Sequence, residues 1–133
     1  MTNLNEISKQ VYEANKLKGF DVKKENVGQT LCLIHSEISE ALEAIWKDNS
    51  ARTHMLSMPK QDLKKLQLNV DCEEDYWKLL FQKHVKDTFE DEIADTFIRL
   101  LDLVCALEID IDLHIELKRR FNSLREFKHG KAF

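Results

Sequence analysis

Three glycines and one proline in 133 residues leave this chain with almost nothing to interrupt a helix. Gly19, Gly28, Pro59 and Gly130 are the only positions where unusual backbone freedom or a missing N–H forces a break, and long segments between them carry no strong breaker. Runs of β-branched residues are few as well. This pattern predicts an all-α protein. A length of 133 residues predicts one domain, 1–133, and 43% hydrophobic residues supply enough material for a real core.

The hydrophobic spacing divides the chain into helices. Residues 3–18 carry Leu4, Ile7, Val11, Ala14 and Leu17 on one face, with Gly19 as the stop. Residues 20–28 read as a loop of mixed charge. A second helix over about 29–47 has Leu31, Ile34, Ile38, Leu42 and Ile45 at spacings of three and four, the mark of a core-facing stripe. Residues 87–107 form a long helix with Phe89, Ile93, Phe97, Leu100, Val104 and Leu107 toward the core. Its apolar arc is so wide that the helix is expected to be central. Asp110 is placed to cap a last helix over about 111–127, with Leu113, Leu117, Phe121 and Leu124 as its apolar face. Residues 48–86 read as an insertion. It holds an irregular start, a short helix from Pro59 to about residue 66, and an amphipathic one over 73–85 with Trp77, Leu80, Phe81 and His84 on one side. The expected architecture is four main helices with an inserted pair of short ones.

Composition excludes several functions. A net charge of -4 argues against broad electrostatic binding to nucleic acid. Cys32, Cys72 and Cys105 are odd in number and form no CxxC, which suggests neither a disulfide framework nor a cysteine zinc site and fits a reduced, cytoplasmic setting. The first ten residues are polar, unlike a signal peptide, and no apolar run has membrane-spanning length. No GxxxxGK[ST] pattern occurs, which disfavours a P-loop NTPase.

The chemistry concentrates in two acidic pairs. Glu37 and Glu40 lie three residues apart on the second helix, at the edge of its apolar stripe and flanked by Leu33, Ala41 and Ala44. Glu92 and Asp95 repeat the spacing on the long helix, within a polar stripe that continues through Arg99 and Asp102. Carboxylates at a core border repel one another unless a positive charge sits between them. If the two helices pack antiparallel, the four converge on one cavity. Hard oxygen donors of this kind suit Mg²⁺ or Mn²⁺, with substrate phosphates completing the shell. On the last helix His114, Lys118, Asn122 and Arg125 form a basic and amide flank, continued by Lys128, His129 and Lys131. An acidic metal site opposed by Lys and Arg is what cleavage of a triphosphate needs.

In order along the chain, HSEISEALEA (35–44), DTFEDEIADTFIRLLDL (87–103), the N-x-x-R of Asn122 and Arg125, and KHGK (128–131) resemble the MazG-like, all-α nucleotide pyrophosphohydrolases, in the branch with this C-terminal motif. The resemblance implies a MazG-like helical bundle, Mg²⁺ dependence, a homodimer or homotetramer, and hydrolysis of a nucleoside triphosphate to monophosphate and pyrophosphate, as in nucleotide-pool house-cleaning. It implies Glu37, Glu40, Glu92 and Asp95 as metal ligands, with Glu40, or Glu37, orienting or deprotonating the attacking water. Lys118, Asn122 and Arg125 match positions expected to contact phosphate, and Lys128 and Lys131 extend them; His35 reads from its position as a core histidine or, two residues before Glu37, as a nucleotide contact. Two departures stand out: 51 residues separate Glu40 from Glu92, more than in compact members, and Glu126 stands where this branch often has proline.

Two other readings compete. A di-iron helical bundle needs an ExxH on each of two helices, and only Glu126 with His129 fits. A non-catalytic helical module that binds nucleotide or a protein partner predicts that the four carboxylates can be replaced with little effect. Apolar arcs wider than a four-helix monomer can cover, with Tyr76, Trp77 and Phe81 adding a further face, predict a homo-oligomer.

Overall fold

A computed structural model describes residues 3–57 and 72–126, and among these the chain is all-α. Five α-helices follow one another: α1 Leu4–Leu17, α2 Val27–Trp46, α3 Glu73–His84, α4 Phe89–Ala106 and α5 Ile111–Ser123. Two 3₁₀ turns, Lys24–Asn26 and Thr53–Ser57, fall in segments expected to be irregular, and α2 starts two residues earlier than its pattern suggested. The helix expected after Pro59, and the tail residues Lys128, His129 and Lys131, lie outside the described residues.

The helix ends follow the local chemistry. Asn3 caps α1 by accepting the Glu6 N–H at 2.7 Å, and Asp110 caps α5 by accepting that of Leu113 at 3.2 Å. Gly19, at φ 89°, closes α1 with paired bonds from Gly19 N–H to the Lys16 carbonyl and from Phe20 N–H to that of Asn15. Asp48 (φ 53°) and Glu108 (φ 54°) take the same left-handed position after α2 and α4, at a steric cost that glycine would avoid.

The chain gathers into two compact units whose divide falls inside α2 and α4: Met1–Leu31 with Ile98–Phe133, and Cys32–Phe97. In the first unit the starts of α1 and α5 are tied together. The Asp112 carboxylate accepts the Leu4 and Asn5 N–H groups, both at 3.0 Å, while the Asn5 side chain donates to Asp110 at 2.8 Å and accepts the Ile111 N–H at 3.0 Å. Further along, Asn15 Nδ2 donates to the buried Asp102 at 2.8 Å. Burial pushes the Asp102 carboxyl up, while the Asn15 amide and Arg99 pull it down. In the second unit Tyr76 and Leu80 of α3 are buried with Leu56 of the 3₁₀ turn packed against them. His84 is also buried, and burial, followed by the charges of Arg52, Lys83 and His54, holds its imidazole below the usual range.

Which helix faces turn inward differs from the expectation. On α2 the buried positions are Thr30, Ile34, Glu37, Ala41 and Ala44, whereas Leu31, Ile38, Leu42 and Ile45 are 43–53% exposed. On α5 the stripe Leu113, Leu117, Phe121 and Leu124 is likewise exposed, and Phe97 of α4 is 58% exposed. Ala41 and Ala44 explain the choice on α2. Both are small side chains, buried on the same face as Glu37. A stripe of large residues would hold the neighbour away.

The α1–α5 tie predicts that Asp112→Ala, which leaves two helix N-terminal N–H groups without an acceptor, lowers unfolding free energy by about 1–2 kcal/mol. Urea unfolding should show a lower midpoint at unchanged slope.

Candidate metal centre

Within the unit Cys32–Phe97, two contacts order α2 and α4 antiparallel. The residue just past the C-terminal end of α2 meets the start of α4, through the Phe89 N–H bonded to the Asn49 carbonyl at 3.0 Å, and Glu37 meets Glu92 further along. This fulfils the condition under which the acidic pairs could converge. Glu37, Glu40 and Glu92 each offer a carboxylate oxygen within 4.8 Å of the others. Glu37 and Glu92 are buried, at 8% and 4% exposure, and Glu40 is the exposed member. Asp95, half-buried on the same helix as Glu92, is not in this set.

The electrostatics follow from the burial. Glu92 has its carboxyl pushed up to about 7, first by desolvation, then by the charge of Glu40, by a hydrogen bond with Glu37, by the Glu37 charge and by Asp91. Near neutral pH it is therefore poised between a protonated form hydrogen-bonded to Glu37 and an ionised form that crowds negative charge into a half-closed space. A divalent cation resolves that crowding, and the donors fit one: three carboxylates from two helices, one open to solvent where a phosphate or water could complete the shell. Ser36 Oγ lies 3.2 Å from a Glu40 oxygen and donates to it one turn away.

Sequence reasoning missed some neighbours. Asp87 and Asp91 form a second group with Glu92, again with oxygens within 4.8 Å of one another. Their i, i+4 spacing just before and inside the first turn of α4 was the available signal, but Asp91 also has a local role, accepting the Asp87 N–H at 2.9 Å.

Of the residues expected to hold phosphate, Lys118, Asn122 and Arg125 belong to the other unit. Lys118 and Arg125 each place their cation over the exposed Phe121 ring, at 5.3 and 5.6 Å from its centroid. Asn122 is half-buried, and its Oδ1 is buried with no hydrogen-bond partner. His35 is exposed on α2, and its carbonyl accepts the Ser39 hydroxyl at 3.0 Å. Lys128 and Lys131 lie outside the described residues.

No known protein family, characterised protein or solved structure matches the chain. Among the described residues no helix is long and apolar enough to cross a membrane.

Glu92 makes the centre a source of pH dependence. The folded state holds its proton up to about pH 7 and the unfolded chain releases it near 4.5, so this group's stabilisation is complete at low pH and is lost as pH rises through that window. Without metal, Glu92→Gln should gain stability relative to the parent chain as pH rises from 4.5 to above 7, by on the order of 3 kcal/mol. Chemical unfolding at several pH values checks this; a constant difference between the two chains would contradict it.

Proposed function

We propose that this protein is a MazG-like nucleoside triphosphate pyrophosphohydrolase, using Mg²⁺, or Mn²⁺ in its place, to convert a nucleoside triphosphate into the monophosphate and pyrophosphate. The observation that carries this reading is the convergence of Glu37, Glu40 and Glu92 from two antiparallel helices, with two of the three buried. The order of motifs along the chain supports it: an acidic pair on each helix, then N-x-x-R and KHGK.

In this reading Glu37, Glu40, Glu92 and Asp95 hold the cation, and the exposed Glu40 faces the substrate side. When bound, the cation supplies charge neutralisation for the phosphates and lowers the pKa of a coordinated water. Glu40, with Glu37 as the other candidate, accepts the proton of the attacking water. The water oxygen bonds to the α-phosphorus, the bond from that phosphorus to the bridging oxygen breaks, and pyrophosphate leaves. Lys118, Asn122, Arg125, Lys128 and Lys131 supply positive charge and hydrogen bonds to the leaving pyrophosphate, and His35 contacts the nucleotide. We further propose that the chain works as a homodimer or homotetramer. The exposed stripe Ile38, Leu42 and Ile45 on α2, and the stripe Leu113, Leu117, Phe121 and Leu124 on α5, support association, since contiguous exposed apolar surface marks an interface.

The test is a panel of nucleoside triphosphates incubated with Mg²⁺, with products separated by chromatography. The reading expects monophosphate and pyrophosphate from at least one substrate, from a preparation that sediments at more than one chain mass. Turnover should fall by orders of magnitude in Glu40→Gln. Binding of nucleotides without turnover would favour the non-catalytic module, and diphosphate with inorganic phosphate as products would exclude the assigned chemistry.

A further inference from the structure

We propose that Asn49 is a positioning residue for the Glu37, Glu40 and Glu92 centre: it sets the register of α2 against α4 and so tunes cation affinity. This inference rests on the cation reading of those carboxylates. The chain leaves α2 at Trp46 and returns to α4 only at Phe89, yet the two points are stitched directly together. Asn49 uses three of its polar groups to do so. Its N–H donates to the Ala44 carbonyl at 2.9 Å, closing α2; its carbonyl accepts the Phe89 N–H at 3.0 Å, opening α4; and its Nδ2 donates to the Asp87 carbonyl at 2.8 Å. Two further bonds continue the seam, from Ala51 N–H to Glu90 Oε2 at 2.7 Å and from Arg52 N–H to the His84 carbonyl at 2.9 Å.

The seam lies one turn from the centre, because Glu92 is three residues past Phe89. Register matters at this range. A slip of one residue moves a helical side chain by about 1.5 Å along the axis and swings it by about 100°. Divalent cations hold their oxygens at about 2.0–2.6 Å, so a fraction of that slip already separates Glu92 from Glu37 and Glu40. Only a side chain that donates, at this length, reaches the Asp87 carbonyl. Alanine would leave that carbonyl without its partner, and aspartate would set a carboxylate against it. Both keep the two main-chain bonds, so the fold is expected to survive either change.

The experiment measures Mn²⁺ binding to metal-free full-length protein by electron paramagnetic resonance, alongside urea unfolding without metal. It compares the parent chain with Asn49→Ala, Asn49→Asp and, as a nearby control on the exposed end of α2, Lys47→Ala. The proposal expects Mn²⁺ affinity about tenfold weaker or more in Asn49→Ala and Asn49→Asp, at a temperature where circular dichroism shows both fully helical, with Lys47→Ala unchanged. Undiminished affinity in a folded Asn49 variant, even with a lower unfolding midpoint, would show that Asn49 only stabilises the fold and would overturn the proposal. If Asn49→Ala does not fold, Asn49→Asp decides by the same readout. If the parent chain itself binds no Mn²⁺, the cation reading fails, and this proposal with it, a result distinct from the loss of Asn49's role alone.

Discussion

The buried pairing of Glu92 with Glu37 is the constraint that the second unit is built around. Two carboxylates taken out of water and placed against each other are unfavourable unless one is protonated or a cation lies between them. Glu92, raised to about 7, shows the protein holding this arrangement close to the point where it titrates. A purely structural contact at this position would be served by leucine. The helices instead bring carboxylates together from both sides and leave Glu40 open to solvent.

Packing around the pair follows from what it needs. Ala41 and Ala44, on the same face as Glu37, allow close approach, and the seam at Asn49 holds the helices in register. The larger apolar residues of α2 are thereby turned outward, to 43–53% exposure at Leu31, Ile38, Leu42 and Ile45.

The helices themselves were legible in the sequence, because capping and breaking are local events. Asn3, Gly19 and Asp110 act where their chemistry predicts, and all five described helices begin within two residues of their periodic pattern. Both acidic pairs were legible as spacings, and three of the four carboxylates converge in the structure. The inward direction of each stripe was not legible. Periodicity reveals that an apolar face exists but not which way that face turns in the fold. The α5 stripe likewise turns outward, and its cations Lys118 and Arg125 rest on Phe121, a contact that i, i+3 and i, i+4 spacing permits but does not single out. The Asn49 seam was invisible because its partners lie 38 to 40 residues away along the chain, across an insertion whose course no local signal determines.

In the proposed reading Glu37, Glu40 and Glu92 form a cation centre that forms only when Glu92 loses its proton. Isothermal titration of the metal-free protein with Mg²⁺ near pH 6.5, repeated in two buffers of different ionisation enthalpy, tests it most directly. Binding should be accompanied by release of a proton, seen as an enthalpy that differs between the buffers, and both binding and release should be lost in Glu92→Gln. Mg²⁺ binding with no buffer dependence, or binding that persists in Glu92→Gln, would contradict the account.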